Sequence, residues 1–240
     1  MILFLGDSFT WGQGLQYIHL VENKGWSWKD CEKIIPPKIQ MESLGFDEDE
    51  FRKNNSFPYL VAKKLDLPFV VGRFENGGDN QTTYKILQSI NPFITSNNIF
   101  CIVVQFSDAG RSLSHEYDEK IGTIDEQIQL QVSRINKLCQ EYKVPWIGFS
   151  WQSDIGNILK ENFGENYIPL IKDNIEYTNF SFVDNKKLKP LFLSHTYPIK
   201  DDHFNVDGHK FISEMIYNKI TKRNDLVKKL VDYKSLFNNT

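Results

Sequence analysis

The chain has 240 residues, 40% of them hydrophobic and 14% aromatic, which predicts one compact domain with a full core. Its formal net charge is -3, so the chain does not have the excess of basic residues that is typical of a nucleic-acid-binding protein. We also expect no membrane segment and no signal peptide, because the apolar runs are too short. The three cysteines are widely spaced, which predicts reduced thiols and a cytoplasmic protein.

The first predicted element is a buried parallel strand over residues 1–5, an unbroken apolar run that leads into Gly6-Asp7-Ser8. Gly6 allows a sharp turn because it has no side chain to clash. Ser8 then follows the carboxyl end of the strand, where open α/β sheets place their ligand sites. A hydroxyl at this position is a candidate nucleophile if a base lies within hydrogen-bond reach.

Residues 16–55 lose the clear alternation of strand and helix, and we predict that they form an insertion beside the site. Two short helices are predicted within it, near residues 27–34 and 47–53. Long segments of this kind are often lids or binding loops, although a surface excursion is the alternative. Trp26 and Trp28 either pack the insertion onto the domain or stack on a sugar ring.

A second strand and glycine turn follow the insertion. A helix opening at Ser56 precedes a strand over residues 68–71, and a turn containing Gly77 and Gly78 leads into a helix over residues 82–90. This repeats the strand, turn and helix of the serine segment. A backbone amide at such a turn can take part in an oxyanion hole, and both glycines are candidates.

The third and fourth strands are predicted over residues 99–104 and 144–151. Between them, Thr123 and Glu126 form a capping box that opens a long helix with one apolar face. Ser150, at the end of the fourth strand, is a rival nucleophile by position, but it lacks a glycine turn.

The C-terminal part supplies a candidate acid and base. After a predicted strand near residues 179–183, the chain carries Asp201-Asp202-His203, and Asn205 caps a helix over residues 206–222. A further helix is predicted over residues 226–236, and His209, inside the earlier helix, is expected to pack or cap. A serine on the first strand and a histidine before the last helices meet only through the fold, as in a Ser-His-Asp triad.

These motifs resemble the SGNH/GDSL hydrolases. Gly6-Asp7-Ser8 matches the first block of that family, and residues 201–209 resemble its last block, which carries the acid and the base. The resemblance implies that Ser8 is the nucleophile and His203 the base. The family places its acid three residues before the histidine, where this chain has Lys200, so we predict Asp201 as the acid, with Asp202 as the alternative.

The resemblance also implies an oxyanion hole. Gly78 matches the glycine of the second block, and Ser107 stands where the third block has an asparagine. A serine hydroxyl is shorter than an asparagine side chain and donates only one hydrogen. Gln105 or Asn80 could therefore supply a replacement amide.

Together these observations predict a single domain over residues 1–240, a three-layer α/β/α sandwich with a mostly parallel, flavodoxin-like sheet of about five strands. The resemblance implies a serine esterase acting on a small acyl ester, such as an acetyl group on a carbohydrate. We predict no cofactor and no metal site, because the chain lacks a phosphate loop, a zinc pattern and a dinucleotide fingerprint. The alternatives are an acyltransferase that uses the same residues and a non-catalytic binding protein on the same fold.

Overall fold

The central feature of the fold is a sheet of four parallel strands. The computed structural model describes residues 1–12, 14–27, 29–31, 46–72, 80–89, 98–106, 123–150, 153–177 and 204–238. The strands are β1 (Ile2–Leu5), β2 (Phe69–Gly72), β3 (Cys101–Phe106) and β4 (Trp146–Ser150), in the order β2-β1-β3-β4. The predicted α/β class and parallel sheet are thereby confirmed.

Burial across the sheet explains why the strands could be predicted. Every residue of β1, β3 and β4 is buried, as expected for parallel strands covered on both faces. Strand β2 lies at the edge of this sheet, and its Val70 is 47% exposed. The predicted strands of residues 1–5, 68–71, 99–104 and 144–151 correspond to these four.

The helices in the described residues alternate with the strands. They are α1 (Ser8–Trp11), α2 (Leu15–Lys24), α3 (Phe46–Asn55), α4 (Phe57–Leu65), α5 (Asn80–Ser89), α6 (Ile124–Glu141), α7 (Ser153–Asn162), α8 (Val206–Lys222) and α9 (Asn224–Asn238). None of the helices in these ranges is long and apolar enough to span a bilayer.

The hydrophobic core consists of two clusters, one on each face of the sheet. Along β1 the side chains alternate, so that Ile2 and Phe4 enter one cluster while Leu3 and Leu5 enter the other. The first cluster also holds apolar residues of α4, α8 and α9, and the second holds apolar residues of α5, α6 and α7. Helices therefore cover both faces.

Local capping signals account for the helices that were predicted best. Thr123 and Glu126 form the predicted capping box, and the Asn205 side chain accepts a hydrogen bond of 2.8 Å from the Gly208 N–H at the start of α8. Helix α8 has the predicted bounds, and α3 confirms the helix predicted near residues 47–53. Of the helix predicted near 27–34, residues 27 and 29–31 are described, and residues 29–31 are helical.

A small hairpin that the sequence did not predict follows α7. Strands β5 (Leu170–Lys172) and β6 (Ile175–Tyr177) are antiparallel and are joined by Asp173 and Asn174, whose φ angles are 51° and 62°. Two positive φ angles in a two-residue loop are typical of hairpin turns. The strand predicted near residues 179–183 lies outside the described residues.

Candidate active site

The serine turn lies at the carboxyl end of β1, between two neighbouring strands of the sheet. Ser8 is the first residue of α1, and the carbonyl of Asp7 accepts hydrogen bonds from the N–H groups of Thr10 (3.0 Å) and Trp11 (3.2 Å). Gly6 has no room for a side chain, because an added Cβ would lie 2.1 Å from Thr10 Oγ1. The strand therefore passes into a helix with hardly any intervening chain, as the sequence predicted.

Gln105, near the end of β3, holds this turn from the neighbouring strand. Its Oε1 accepts a hydrogen bond from Thr10 Oγ1 (3.0 Å) and a longer one from the Asp7 N–H (3.3 Å). Its Nε2 donates to the carbonyl of Phe106 (3.1 Å). Gln105 is 1% exposed, and its amide is engaged in the core. The sequence predicts Gln105 or Asn80 as a replacement donor to an oxyanion. In the structure the Gln105 amide has a structural role, because it holds the serine turn.

The end of α1 is held by a residue from the predicted insertion. The Arg52 guanidinium, on α3, lies 3.6 Å from the centroid of the Trp11 ring, and its Nη1 donates to the Trp11 carbonyl (2.6 Å). The same guanidinium donates to Asp49 Oδ1 from Nε and Nη2 (2.9 and 2.8 Å). The described parts of residues 16–55 therefore pack onto the serine segment. No local sequence pattern predicts this contact, because it joins residues 41 positions apart.

Helix α2, in the same segment, also packs onto the domain. It begins after Gly14, whose φ of 94° favours glycine, and it buries Leu15, Tyr17 and Ile18. Trp26, beyond its end, is 38% exposed, and Trp28 lies outside the described residues. Helix α2 is thus an additional helix that the sequence prediction missed.

His209 confirms the prediction that it packs or caps. Its ring is fully buried, and its Nδ1 accepts a hydrogen bond of 3.2 Å from the N–H of Phe57, the first residue of α4. The ring is stacked on that of Phe57 and meets Phe204 edge-on. Because Nδ1 is the acceptor, the proton of the neutral ring lies on Nε2. Ser56 precedes α4 as predicted, but its hydroxyl donates to the Lys53 carbonyl, and His209 caps the helix.

The other candidate nucleophiles in the described residues are buried. Ser150 is 1% exposed and donates from its hydroxyl to the Phe106 carbonyl (3.2 Å). Burial raises the pKa of Cys101 and of Cys139 to about 12, and it also raises the pKa of Cys31. A thiol with so high a pKa carries almost no thiolate near neutral pH, so these cysteines are poor nucleophiles.

The structure describes the predicted site residues only in part. Ser8 and Asn80 open α1 and α5, and their backbones are described. Gly78, Ser107, Asp201 and His203 lie outside the described residues, as do Gly77 and Asp202. By chain order, Gly78 and Ser107 follow β2 and β3, the two neighbours of β1, and His203 directly precedes Phe204, which is fully buried. Their distances to Ser8 therefore stay predictions.

A separate basic cleft of about 340 Å³ lies beside the start of β4. Lys219, Lys222 and Arg223 line it together with Glu165 and Asp225. Arg223 is engaged by Asp225 and by the carbonyl of Trp146, the first residue of β4. Burial and the nearby Arg223 lower the pKa of Lys219. This cleft lies at the amino end of the strands, whereas the serine turn lies at the carboxyl end.

No cluster of metal-ligating side chains occurs among the residues that the structure describes. Comparisons with protein-family models, with curated proteins and with solved structures give no match to this chain.

Proposed function

We propose that this chain is a serine esterase of the SGNH/GDSL type that hydrolyses a small acyl ester. The observation that carries the proposal is that Gly12, the residue after the serine helix α1, and the first turn of α8 both lie beside the start of α4. The chain next to Ser8 and the segment that directly follows His203 thus share a neighbour in the fold, although almost 200 residues separate Ser8 from His203 in the sequence. A triad needs such convergence.

Two contacts at the start of α4 support this reasoning. A Cβ placed on Gly12, just after α1, would lie 3.3 Å from Cβ of Ser56, which precedes α4. The first turn of α8 contacts the first residue of α4 through the bond from the Phe57 N–H to His209 Nδ1. Asn205 caps the same turn of α8, and His203 precedes this cap by two residues.

The fold also agrees with the proposal. The observed strand order β2-β1-β3-β4 matches the first four positions of the flavodoxin-like order 2-1-3-4-5. A core cluster on each face of the sheet is what a three-layer α/β/α sandwich requires. We propose this topology, with about five strands, for the whole chain.

In the proposed reaction, Ser8 Oγ bonds to the acyl carbon while its proton passes to His203 Nε2. Asp201 holds the imidazole in the required tautomer. The tetrahedral adduct then breaks its bond to the alcohol oxygen, which leaves with the proton from His203. A water molecule next gives a proton to His203 and bonds to the acyl carbon, and Ser8 Oγ departs with that proton. The products are the free acid and the alcohol.

We propose that the amides of Ser8 and Gly78 donate to the oxyanion, with the Ser107 hydroxyl as a third, weaker donor. The asparagine that the family carries at this place donates from a longer side chain. Replacing Ser107 by asparagine is therefore expected to raise kcat, because one well-placed oxyanion donor contributes about 100- to 1000-fold in rate.

The substrate class follows from the resemblance: a small acyl ester, including an acetyl group on a carbohydrate, with no cofactor. We further propose a cytoplasmic protein, which the buried free thiols Cys31, Cys101 and Cys139 support. Neither a nucleic acid nor a membrane is a proposed partner.

The test is hydrolysis of p-nitrophenyl acetate together with fluorophosphonate labelling and peptide mapping. Wild type should be labelled at Ser8, and Ser8→Ala should lose the label and roughly 1000-fold or more of kcat. Ser150→Ala is the matched control, since it removes a buried strand-end serine, and it should keep the label. Asp201→Asn compared with Asp202→Asn identifies the acid.

Two outcomes would replace the esterase proposal. A folded wild type without label and with only background hydrolysis would indicate a binding protein. Labelled Ser8 with faster acyl transfer to a sugar acceptor than to water would indicate an acyltransferase.

A further inference from the structure

Gln105 is a polar residue in a strand that is otherwise almost entirely apolar. Strand β3 reads Cys-Ile-Val-Val-Gln-Phe, and all six residues are buried. A buried amide is costly unless its donors and acceptors are bonded, so an apolar side chain would suit the strand alone better. The reason for the amide must therefore lie in what it contacts.

Those contacts lie on both sides of Ser8. Gln105 Oε1 accepts from the Asp7 N–H, one residue before the serine, and from the Thr10 hydroxyl, two residues after it. Thr10 is 1% exposed and Asp7 is 5% exposed, so these bonds are shielded from water. One carbonyl oxygen thus holds both ends of the segment that carries the serine.

Gly6 makes room for this arrangement. A Cβ on Gly6 would lie 2.8 Å from Gln105 Oε1 and 3.0 Å from Gln105 Cβ. The glycine and the glutamine are therefore complementary, because the missing side chain of one leaves the space that the amide of the other fills.

We propose that Gln105 is a positioning residue for the nucleophile: it holds the backbone of residues 7–10, from which Ser8 projects. This inference rests on the proposed function. The bonds from the Gln105 amide act on the turn and touch neither the substrate nor the reacting atoms. Misplacing a reacting group by about 1 Å can cost about 100-fold in rate, which is the effect that this bond prevents.

The test compares Gln105→Met, Thr10→Val and Thr10→Ser with wild type. Methionine keeps the length of the side chain and removes the acceptor, valine keeps the shape of threonine and removes the donor, and serine keeps the donor. The readouts are kcat and KM for p-nitrophenyl acetate and the rate of fluorophosphonate labelling at Ser8. We expect Gln105→Met and Thr10→Val to lower kcat and the labelling rate about 10- to 100-fold, with little change in KM. Thr10→Ser should stay close to wild type.

Ser213→Ala is the control for a general loss of stability. Ser213 is 1% exposed, and its hydroxyl donates to the Lys210 carbonyl within α8. This variant also loses a hydrogen bond of a buried side chain, and it should keep the wild-type kcat while folded. If Gln105→Met does not fold, the comparison of kcat and labelling rate between Thr10→Val and Thr10→Ser decides whether the bond to Gln105 positions the serine.

The outcomes separate this inference from the proposed function. Wild type labelled at Ser8, with folded Gln105→Met and Thr10→Val labelled at the same rate, overturns the positioning role and leaves the esterase intact. Wild type that is not labelled at Ser8 overturns both. A loss of kcat in Thr10→Ser as large as in Thr10→Val also overturns the positioning role, because the hydroxyl would then not be the cause.

Discussion

His209 provides the sharpest test of how the two histidines near the start of α8 divide their roles. The substitution is His209→Phe, which keeps a ring between Phe57 and Phe204 and removes the acceptor Nδ1. The ring centroid of His209 lies 5.7 Å from that of Phe57 and 5.6 Å from that of Phe204. A phenyl ring at position 209 therefore retains these contacts. Among the described residues, the substitution by design removes the bond of the Phe57 N–H.

The expected cost follows from that orphaned donor. Phe57 is fully buried and is the first residue of α4, where an N–H has no partner within its own helix. Leaving a buried donor unsatisfied costs about 1–3 kcal/mol. His209→Ala also opens a cavity and removes both ring contacts, so it should cost more, about 3–5 kcal/mol by comparison with other aromatic truncations.

The assay is urea unfolding followed by tryptophan fluorescence, with Ser8 labelling measured on the same samples. We expect His209→Phe to lose stability and keep the labelling rate. His203→Ala should do the reverse, because His203 is the proposed base. The reasoning fails if His209→Phe unfolds within about 0.5 kcal/mol of wild type, a change that surface substitutions also produce. It also fails if folded His209→Phe loses its label while His203→Ala keeps it.

Three further predictions concern the serine segment and the core. Gly6→Ala should cost about 1–3 kcal/mol by overpacking and slow the labelling of Ser8, because the new Cβ meets Thr10 Oγ1. Arg52→Lys should lower the free energy of unfolding, measured in urea, by about 1.5–3 kcal/mol. The reason is that an ammonium cannot replace the planar guanidinium that donates both to Asp49 and to the Trp11 carbonyl at the end of α1. Burial raises the pKa values of Cys101 and Cys139 to about 12, because the folded protein favours the protonated thiols. The stability of the fold therefore has its full contribution from these thiols below pH about 9 and loses it as the pH rises toward 12. The free energy of unfolding should therefore fall above pH 9, by about 1.4 kcal/mol per pH unit and thiol, and the double alanine variant should flatten that slope.

Each of these has a control and a contrary outcome. Gly25→Ala adds a Cβ with no atom within 4 Å, at a φ of 70° that strains the backbone without a clash. It should leave Ser8 labelling unchanged, and equal slowing in both glycine variants would contradict the packing argument. Lys24→Ala removes an exposed ion pair with Asp47 between α2 and α3 and should not change stability measurably. For the thiols, identical alkaline slopes in wild type and the double variant would refute the assignment.

The parts of the fold that could be predicted are those that local chemistry determines. Strands β1, β3 and β4 are apolar apart from Gln105 and Ser150, because both faces of a parallel sheet are covered. The starts of helices α6 and α8 can be predicted from Thr123 and Asn205, whose side chains cap these helices by accepting hydrogen bonds from nearby N–H groups.

The missed elements lack such signals or have weak ones. Helix α2 begins at a glycine with no side-chain cap, and its buried face is covered through tertiary packing. The hairpin β5–β6 has strands of only three residues, too short for a clear alternation. Its signal was Asp173-Asn174, two residues that tolerate positive φ in a tight loop.

In the candidate site, too, the features that local sequence determines could be predicted, and those that depend on distant contacts could not. Gly6 and Ser8 were predicted, because a strand, a glycine and a serine are contiguous in the sequence. The sequence indicates Gln105 only as a possible oxyanion donor and does not indicate a role for Arg52, since their contacts span 95 and 41 positions. No local pattern specifies a partner at such a distance.

These long-range contacts explain how so short a helix can hold the proposed nucleophile in place. Helix α1 has four residues, and an isolated helix of that length is not stable in water. Its position must therefore come from tertiary contacts, and the structure provides one at each end: Gln105 from β3 at the start and Arg52 from α3 at the end. The second contact belongs to the segment predicted as an insertion. That segment thus holds the serine helix in place, and deleting it would release the Trp11 end of α1 even if the sheet stayed intact.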